Sequence, residues 1–180
     1  MKNKNKLLIS SYVPVAEDKV IFDTNVLINI FYPINFSKKT NQYEKLYVKL
    51  LEKSVKIFLS SIQISEFINR CIRFRFATYC DGRNLDFKKQ YRNTDDYREH
   101  MEGILDIIDN FSFIDDGFST MNYDNIFKYG FSYDFNDALI SEIAKRENAY
   151  LITHDSDFLN YGTDLKIITA NEGLLKFGQH

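Results

Sequence analysis

The chain has no tryptophan, only two cysteines, two prolines and seven glycines among 180 residues, and no stretch of uninterrupted apolar residues long enough to span a bilayer. With so few glycines and prolines to punctuate it, helices should dominate and linkers should be few. The two thiols, Cys71 and Cys80, lack CxxC spacing, so reduced cysteines in a cytosolic protein are the expected state rather than a disulfide framework. Net basic charge is missing too. A formal charge of -2 and a pI of about 5.9 exclude a protein that grips nucleic acid by bulk charge, so any such site must be local.

What is present is an ordinary soluble composition, 44% hydrophobic and 27% charged, with a high aromatic content made wholly of Phe and Tyr. The length suits one domain with one substantial core. The opening residues, MKNKNKLLISSYVPVAED, pair lysines with a short apolar run, but Ser10, Ser11, Tyr12 and Pro14 interrupt it. Export is therefore not expected, and residues 1–18 read as an N-terminal arm ahead of a single domain at 19–180.

Tyr43, Leu46, Tyr47, Leu50 and Leu51 recur at helical spacing, as do Tyr97, Met101, Ile104, Leu105 and Ile108. Short apolar runs at Val20–Phe22, Ile57–Leu59, Phe111–Ile114, Tyr150–Ile152 and Ile167–Ile168 read as strands. Strands alternating with helices predict an α/β fold, a three-layer α/β/α sandwich with a mostly parallel central sheet. Ligands in such folds lie beyond the carboxyl ends of the strands, which directs attention to the residues there.

Asp23 follows the first run, and Thr153, His154 and Asp155 follow Tyr150–Ile152. Ser60 and Gln63 have capping-box spacing, which places Glu66 about two turns into a helix after the second run. Asp137 lies in a polar first helical turn with Asp134 and Asn136, where simple capping is the plainer explanation. Asp23, Glu66, Asp137 and Asp155 nonetheless come from four segments converging on one sheet edge. Without lysine or arginine partners they would repel one another, and a divalent cation would relieve that repulsion. An all-oxygen set, with Thr24, Asn25 and Thr153 as supporting groups, suits Mg²⁺ or Mn²⁺, whereas zinc normally recruits His or Cys. His100, His154 and His180 form no ligand pattern.

FDTNVLI, SSIQISEF, DFNDALI and LITHDSDF, in this order, resemble the PIN domain, known from VapC-type toxins and other metal-dependent ribonucleases. The resemblance implies an acidic pocket of Asp23, Glu66, Asp137 and Asp155 that holds Mg²⁺ or Mn²⁺ for RNA hydrolysis, with Asp157 as an indirect ligand, Asp134 beside it and Thr153 as the customary small hydroxyl. It further implies 5′-phosphate products and room for an antitoxin protein and a homodimer, while the composition and the two thiols lead to the expectation of a cytoplasmic setting without membrane association. The alternatives are a non-catalytic PIN-like RNA-binding or scaffold protein and a structure-specific DNA nuclease. A haloacid-dehalogenase phosphatase would need an acid where Asn25 stands, and a receiver domain would need a lysine after a late strand.

Residues 70–100 read as a helical, basic and aromatic elaboration larger than a compact toxin needs. Arg70, Arg73, Arg75, Arg83, Lys88 and Lys89 are interleaved there with Phe74, Phe76, Tyr79, Phe87 and Tyr91. Such a segment can follow phosphates and stack unpaired bases, which makes it the expected contact for single-stranded or looped RNA. The plainer reading has the aromatics in the core and the charges on a solvated face.

Overall fold

A computed structural model describes residues 5–32, 38–130, 134–161 and 164–175. In chain order the elements are β1 (Lys6–Leu8), β2 (Lys19–Phe22), α1 (Thr24–Phe31), α2 (Lys38–Glu52), β3 (Lys56–Ser60), α3 (Ser61–Cys80), α4 (Asp95–Ile108), β4 (Ser112–Ile114), α5 (Tyr123–Gly130), α6 (Phe135–Arg146), β5 (Tyr150–Ile152) and β6 (Lys166–Thr169). Short 3₁₀ turns at Ile9–Ser11, Tyr91–Asn93, Phe118–Thr120, Ser156–Asn160 and Glu172–Leu175 join several of them.

The strands form one sheet in the order β1-β6-β5-β2-β3-β4, and every pairing is parallel. Their sequences are apolar without alternation because both faces are covered. Val20 and Phe22 point into one core with Val26 and Leu27 of α1, Leu46 of α2, Phe67 of α3 and Ile104 of α4. Ile21, between them, points into the other, with Ile126 of α5 and Leu139, Ile140 and Ile143 of α6. Period-two alternation across a strand thus separates two cores and produces the three layers.

The chain leaves β2 toward β3 and β4 on one side, then returns to build β5 and β6 on the other. Beyond the carboxyl ends of β2 and β5 the connections diverge and leave a crevice. Asp23 and Thr153 are the residues that emerge into it.

Three features differ from the sequence expectation, and a fourth follows the plainer of its two readings of residues 70–100. The arm supplies a sixth strand: Lys6, Leu7 and Leu8 pair with Ile167, Ile168 and Thr169. Lys6 is buried because its ammonium reaches the Leu159 carbonyl at 3.0 Å, so a residue type that signals solvent serves a strand. A further helix, α5, packs on α6 from a segment whose composition gave no helical reading. Finally, the aromatics of 70–100 are largely structural. Tyr91 is fully buried and Phe87 nearly so, and Phe76, Tyr79, Phe87, Tyr91 and Tyr97 form a continuous set of ring contacts between α3 and α4. Residues 176–180, including His180, lie outside the described residues.

Candidate active site

Asp23 is 2% exposed, the last residue before α1 and its N-cap. One carboxylate oxygen accepts the Asn25 N–H at 3.1 Å; the other accepts the Thr153 hydroxyl at 2.7 Å. The register makes that contact inevitable, since Phe22 pairs with Ile152 and the Asp23 N–H extends the ladder to the Ile152 carbonyl at 2.9 Å. Burial pushes the Asp23 carboxyl up to about 6; its two hydrogen bonds hold it down, and the charges of Asp155 and Glu66 raise it further.

Thr153 is fully buried, and its hydroxyl oxygen also accepts the Asp155 N–H at 3.0 Å. Asp155 in turn caps the Ser156–Asn160 turn by accepting the Asp157 N–H at 3.0 Å. Asp157 itself is exposed. One hydroxyl therefore fixes the relative placement of two of the expected acids.

Glu66 reaches the same place from α3. The Gln63 side chain accepts from the Ser60 N–H and hydroxyl, both at 3.0 Å, and donates to the Phe22 carbonyl, which ties the start of α3 to the end of β2. One turn on, Glu66 accepts the Thr24 hydroxyl at 3.1 Å. Here the expectation of acids without basic partners needs correcting. Arg70 lies 3.4 Å from Glu66 and donates to the Asn25 side-chain carbonyl at 2.6 Å. The pair is the ordinary one between successive helical turns, and both side chains are more than a quarter exposed, so its worth is small, on the order of 0–1 kcal/mol.

Asp137 arrives from the first turn of α6, which Asp134 caps by accepting the Asn136 N–H at 2.7 Å. Its carboxyl is pushed up to about 8, first by burial and then by the charges of Asp23, Asp134, Asp155 and Glu66. The four expected carboxylates are therefore electrostatic neighbours, although four chain segments deliver them. Capping, the plainer explanation, accounts for Asp134 and not for Asp137.

The donors are carboxylate, hydroxyl and amide oxygens, with no sulfur, which suits a hard divalent cation. Burial, together with the like charges around Asp137 and Asp23, disfavours their ionised forms and so supplies the electrostatic drive for one. As the side chains stand, no group of three or more His, Cys, Asp or Glu residues among those described is closed up as a ready ligand set. Both oxygens of Asp23 are engaged by Thr153 and Asn25, and one oxygen of Glu66 faces Arg70.

The other expected contacts fare unevenly. Arg75 is held by Asp96, which also accepts the Tyr91 hydroxyl at 2.8 Å, so its guanidinium is structural. Arg83 donates to the carbonyls of Cys80 and Tyr79 at the end of α3. Arg73 stacks over the Phe87 ring at 3.9 Å, while Lys88 and Lys89 are exposed. Sequence reasoning missed Tyr43. Its hydroxyl donates to the Thr153 carbonyl (3.1 Å), accepts the Ala170 N–H (3.0 Å) and lies 3.0 Å from His154 Nδ1. Tyr43 sits on the apolar stripe of α2, and no local signal distinguishes it from the core residues around it.

A family model for the PIN domain matches residues 20–163. The chain belongs to the PIN domain family. PIN domains are nucleases, generally metal-dependent. Among solved structures, the chain is similar to one described as VapBC2 from Rickettsia felis bound to a DNA fragment from their promoter. The TM-score is 0.52 at 20% identity, over 84% of this chain and 98% of that one. A second, described as FitAB bound to IR36 DNA fragment, gives a TM-score of 0.50 at 18% identity, over 89% and 99%. These likenesses establish the PIN fold and its all-parallel sheet. A search of curated proteins returns no match.

Proposed function

We propose that this PIN domain is a Mg²⁺- or Mn²⁺-dependent endoribonuclease that acts on single-stranded or looped RNA. The observation that carries the reading is the convergence of Asp23, Glu66, Asp137 and Asp155 from separate segments at the sheet's topological crevice, where burial first and then the neighbouring acids raise the Asp137 carboxyl. Asp23 and Asp155, indexed to each other by Thr153, would hold the ion, with Glu66 and Asp137 completing the pocket and Asp157 touching it through water. When bound, such an ion lowers the pKa of a coordinated water and polarises a phosphate oxygen.

The chain's own contribution is placement. Thr153 and the Asn25 N–H keep Asp23 from turning, and Thr24 orients Glu66. Arg70, which adjoins Glu66 and Asn25, would meet a phosphate oxygen of the bound strand. Packing of Asp23 between two strands and α1 excludes water from one side of the pocket. Attack in line with the leaving oxygen would give 5′-phosphate and 3′-hydroxyl ends. The VapBC2 and FitAB likenesses support a place in a toxin–antitoxin pair with an antitoxin protein as partner. Cytoplasmic action agrees with the reduced cysteines; among the described residues no helix is long and apolar enough to cross a membrane.

The test is cleavage of end-labelled single-stranded RNA and of DNA of matching sequence, with Mg²⁺, with Mn²⁺ and with chelator. Cleavage of RNA that chelator stops is expected. Persistence of cutting in chelator would remove the ion from the mechanism, and preference for DNA would replace the substrate. A second reading, a PIN-like binding protein without catalysis, is favoured by the Arg70–Glu66 pair and by the open ligand set. It predicts RNA binding with no cleavage under either ion.

A further inference from the structure

Strands β5 and β6 stop pairing one rung before their register requires it. Ile152 is the partner of Ile168, and the Thr153 N–H still reaches the Ile168 carbonyl at 3.2 Å. In a parallel ladder the next bond would run from the Ala170 N–H to the Thr153 carbonyl. A side chain from another layer stands in that place instead. The Tyr43 hydroxyl, on α2, accepts the Ala170 N–H at 3.0 Å and donates to the Thr153 carbonyl at 3.1 Å. A hydroxyl with an ordinary bond angle holds two such groups roughly 5 Å apart, where a direct bond would bring them to about 2.9 Å. Both backbone groups are satisfied, and the two strand ends are kept spread.

The spread matters because of what Thr153 holds. Its hydroxyl donates to Asp23 at 2.7 Å and accepts the Asp155 N–H at 3.0 Å, so one residue bridges the two acids. Its carbonyl belongs to the peptide that leads through His154 to Asp155. Tyr43 fixes that carbonyl and also lies 3.0 Å from His154 Nδ1, with the two rings edge to face. Tyr43 and Thr153 are both buried, so the protein rather than solvent sets this spacing. Without the hydroxyl, the Ala170 N–H and the Thr153 carbonyl are left to close the missing rung, which draws Thr153 toward β6. Asp23 stands on the other side, at the end of β2, so its bond to Thr153 would lengthen.

We infer that Tyr43 is a positioning residue for the acidic crevice: its hydroxyl, spliced into the β5–β6 ladder, holds Thr153 where Asp23 and Asp155 can share one divalent cation. The inference rests on the nuclease reading for the ion, and on the ladder geometry alone for the placement of the acids. A group that orients metal ligands without touching the metal typically carries a factor of about 10–100 in affinity.

The test compares wild type with Tyr43→Phe, which keeps the ring and removes only the hydroxyl. The control is Tyr91→Phe, which deletes an equally buried hydroxyl bonded to Asp96. Amide NMR spectra in EDTA report the metal-free crevice. The Asp155 and Asn25 amides, which donate to Thr153 and Asp23, should shift in Tyr43→Phe and stay in place in Tyr91→Phe. Calorimetry should give a Mn²⁺ dissociation constant weaker by about tenfold or more in Tyr43→Phe, and unchanged in the control. Unmoved amides, an unchanged constant, or the same weakening in Tyr91→Phe would overturn the proposal. Should circular dichroism show Tyr43→Phe unfolded, wild type decides: saturation with Mg²⁺ should shift the Ala170 amide together with that of Asp155, and a stationary Ala170 amide would overturn the coupling. Wild type that binds no Mn²⁺ rejects the nuclease reading, and the amide shifts in EDTA then decide the placement by Tyr43 on their own. Cleavage by wild type with unmoved amides in Tyr43→Phe keeps the nuclease and rejects the splice.

Discussion

Asp137→Asn should stabilise the metal-free protein, and only toward alkaline pH. The Asp137 carboxyl moves from 3.8 to about 8 on folding. Because the folded value lies above the unfolded one, the native state favours the protonated form. Its stability is whole below about pH 4 and declines as pH rises toward 8. Roughly four units at about 1.4 kcal/mol each set a ceiling near 6 kcal/mol. The carboxyl is only partly buried, and water and counter-ions screen its neighbours, so about 2 kcal/mol at pH 8 is the working figure. For a chain of this size that corresponds to a melting temperature higher by roughly 4–8 °C. Thermal unfolding in EDTA at pH 5 and pH 8 should show the gain growing with pH. Saturating Mn²⁺ should then reverse the order, since an ion at one hundred times its Kd adds about 2.7 kcal/mol to a protein that can bind it. Equal gains at both pH values, or destabilisation at pH 8, would show that Asp137 is not held among like charges.

Asp23→Asn should abolish cleavage while leaving a folded protein, checked by circular dichroism alongside the gel assay; full turnover in that variant would remove Asp23 from the chemistry. Thr153→Val deletes the hydroxyl shared by Asp23 and the Asp155 N–H, so cleavage should fall by about tenfold or more and the Asp23 carboxyl should titrate higher still, readable by carbon NMR. Arg70→Ala should change stability by under about 1 kcal/mol and tighten Mn²⁺ binding by calorimetry, since Glu66 then faces the ion alone. Asp96→Ala strips partners from Arg75 and from the buried Tyr91 hydroxyl, so it should cost about 2–3 kcal/mol in urea unfolding with the cleavage rate per folded molecule unchanged.

The central strands and the acids at their ends could be read from sequence because both signals are local. Val20–Phe22 is apolar on both faces and is followed at once by a carboxylate that packing alone would not place there. Other features depend on partners far along the chain. Asp96 holds Arg75 from 21 residues away, which turned an expected RNA contact into a structural tie. Lys6 joins the sheet only because Leu159 offers a carbonyl to its tip. Arg70 is a different case, since its spacing of four from Glu66 is itself a local signal for an ion pair between successive helical turns. The convergence of Asp137 was legible only as part of an ordered set, for in its own helix turn it looks like a cap.

Strand β1 is three residues long and shields the outer backbone of β6. A shortened version beginning at residue 20, where the family match starts, would strip that cover and leave the amide and carbonyl groups of β6 bare. Such a product invites edge-to-edge association between molecules, so recombinant versions should retain the residues from Asn5 onward and carry any affinity tag on a spacer.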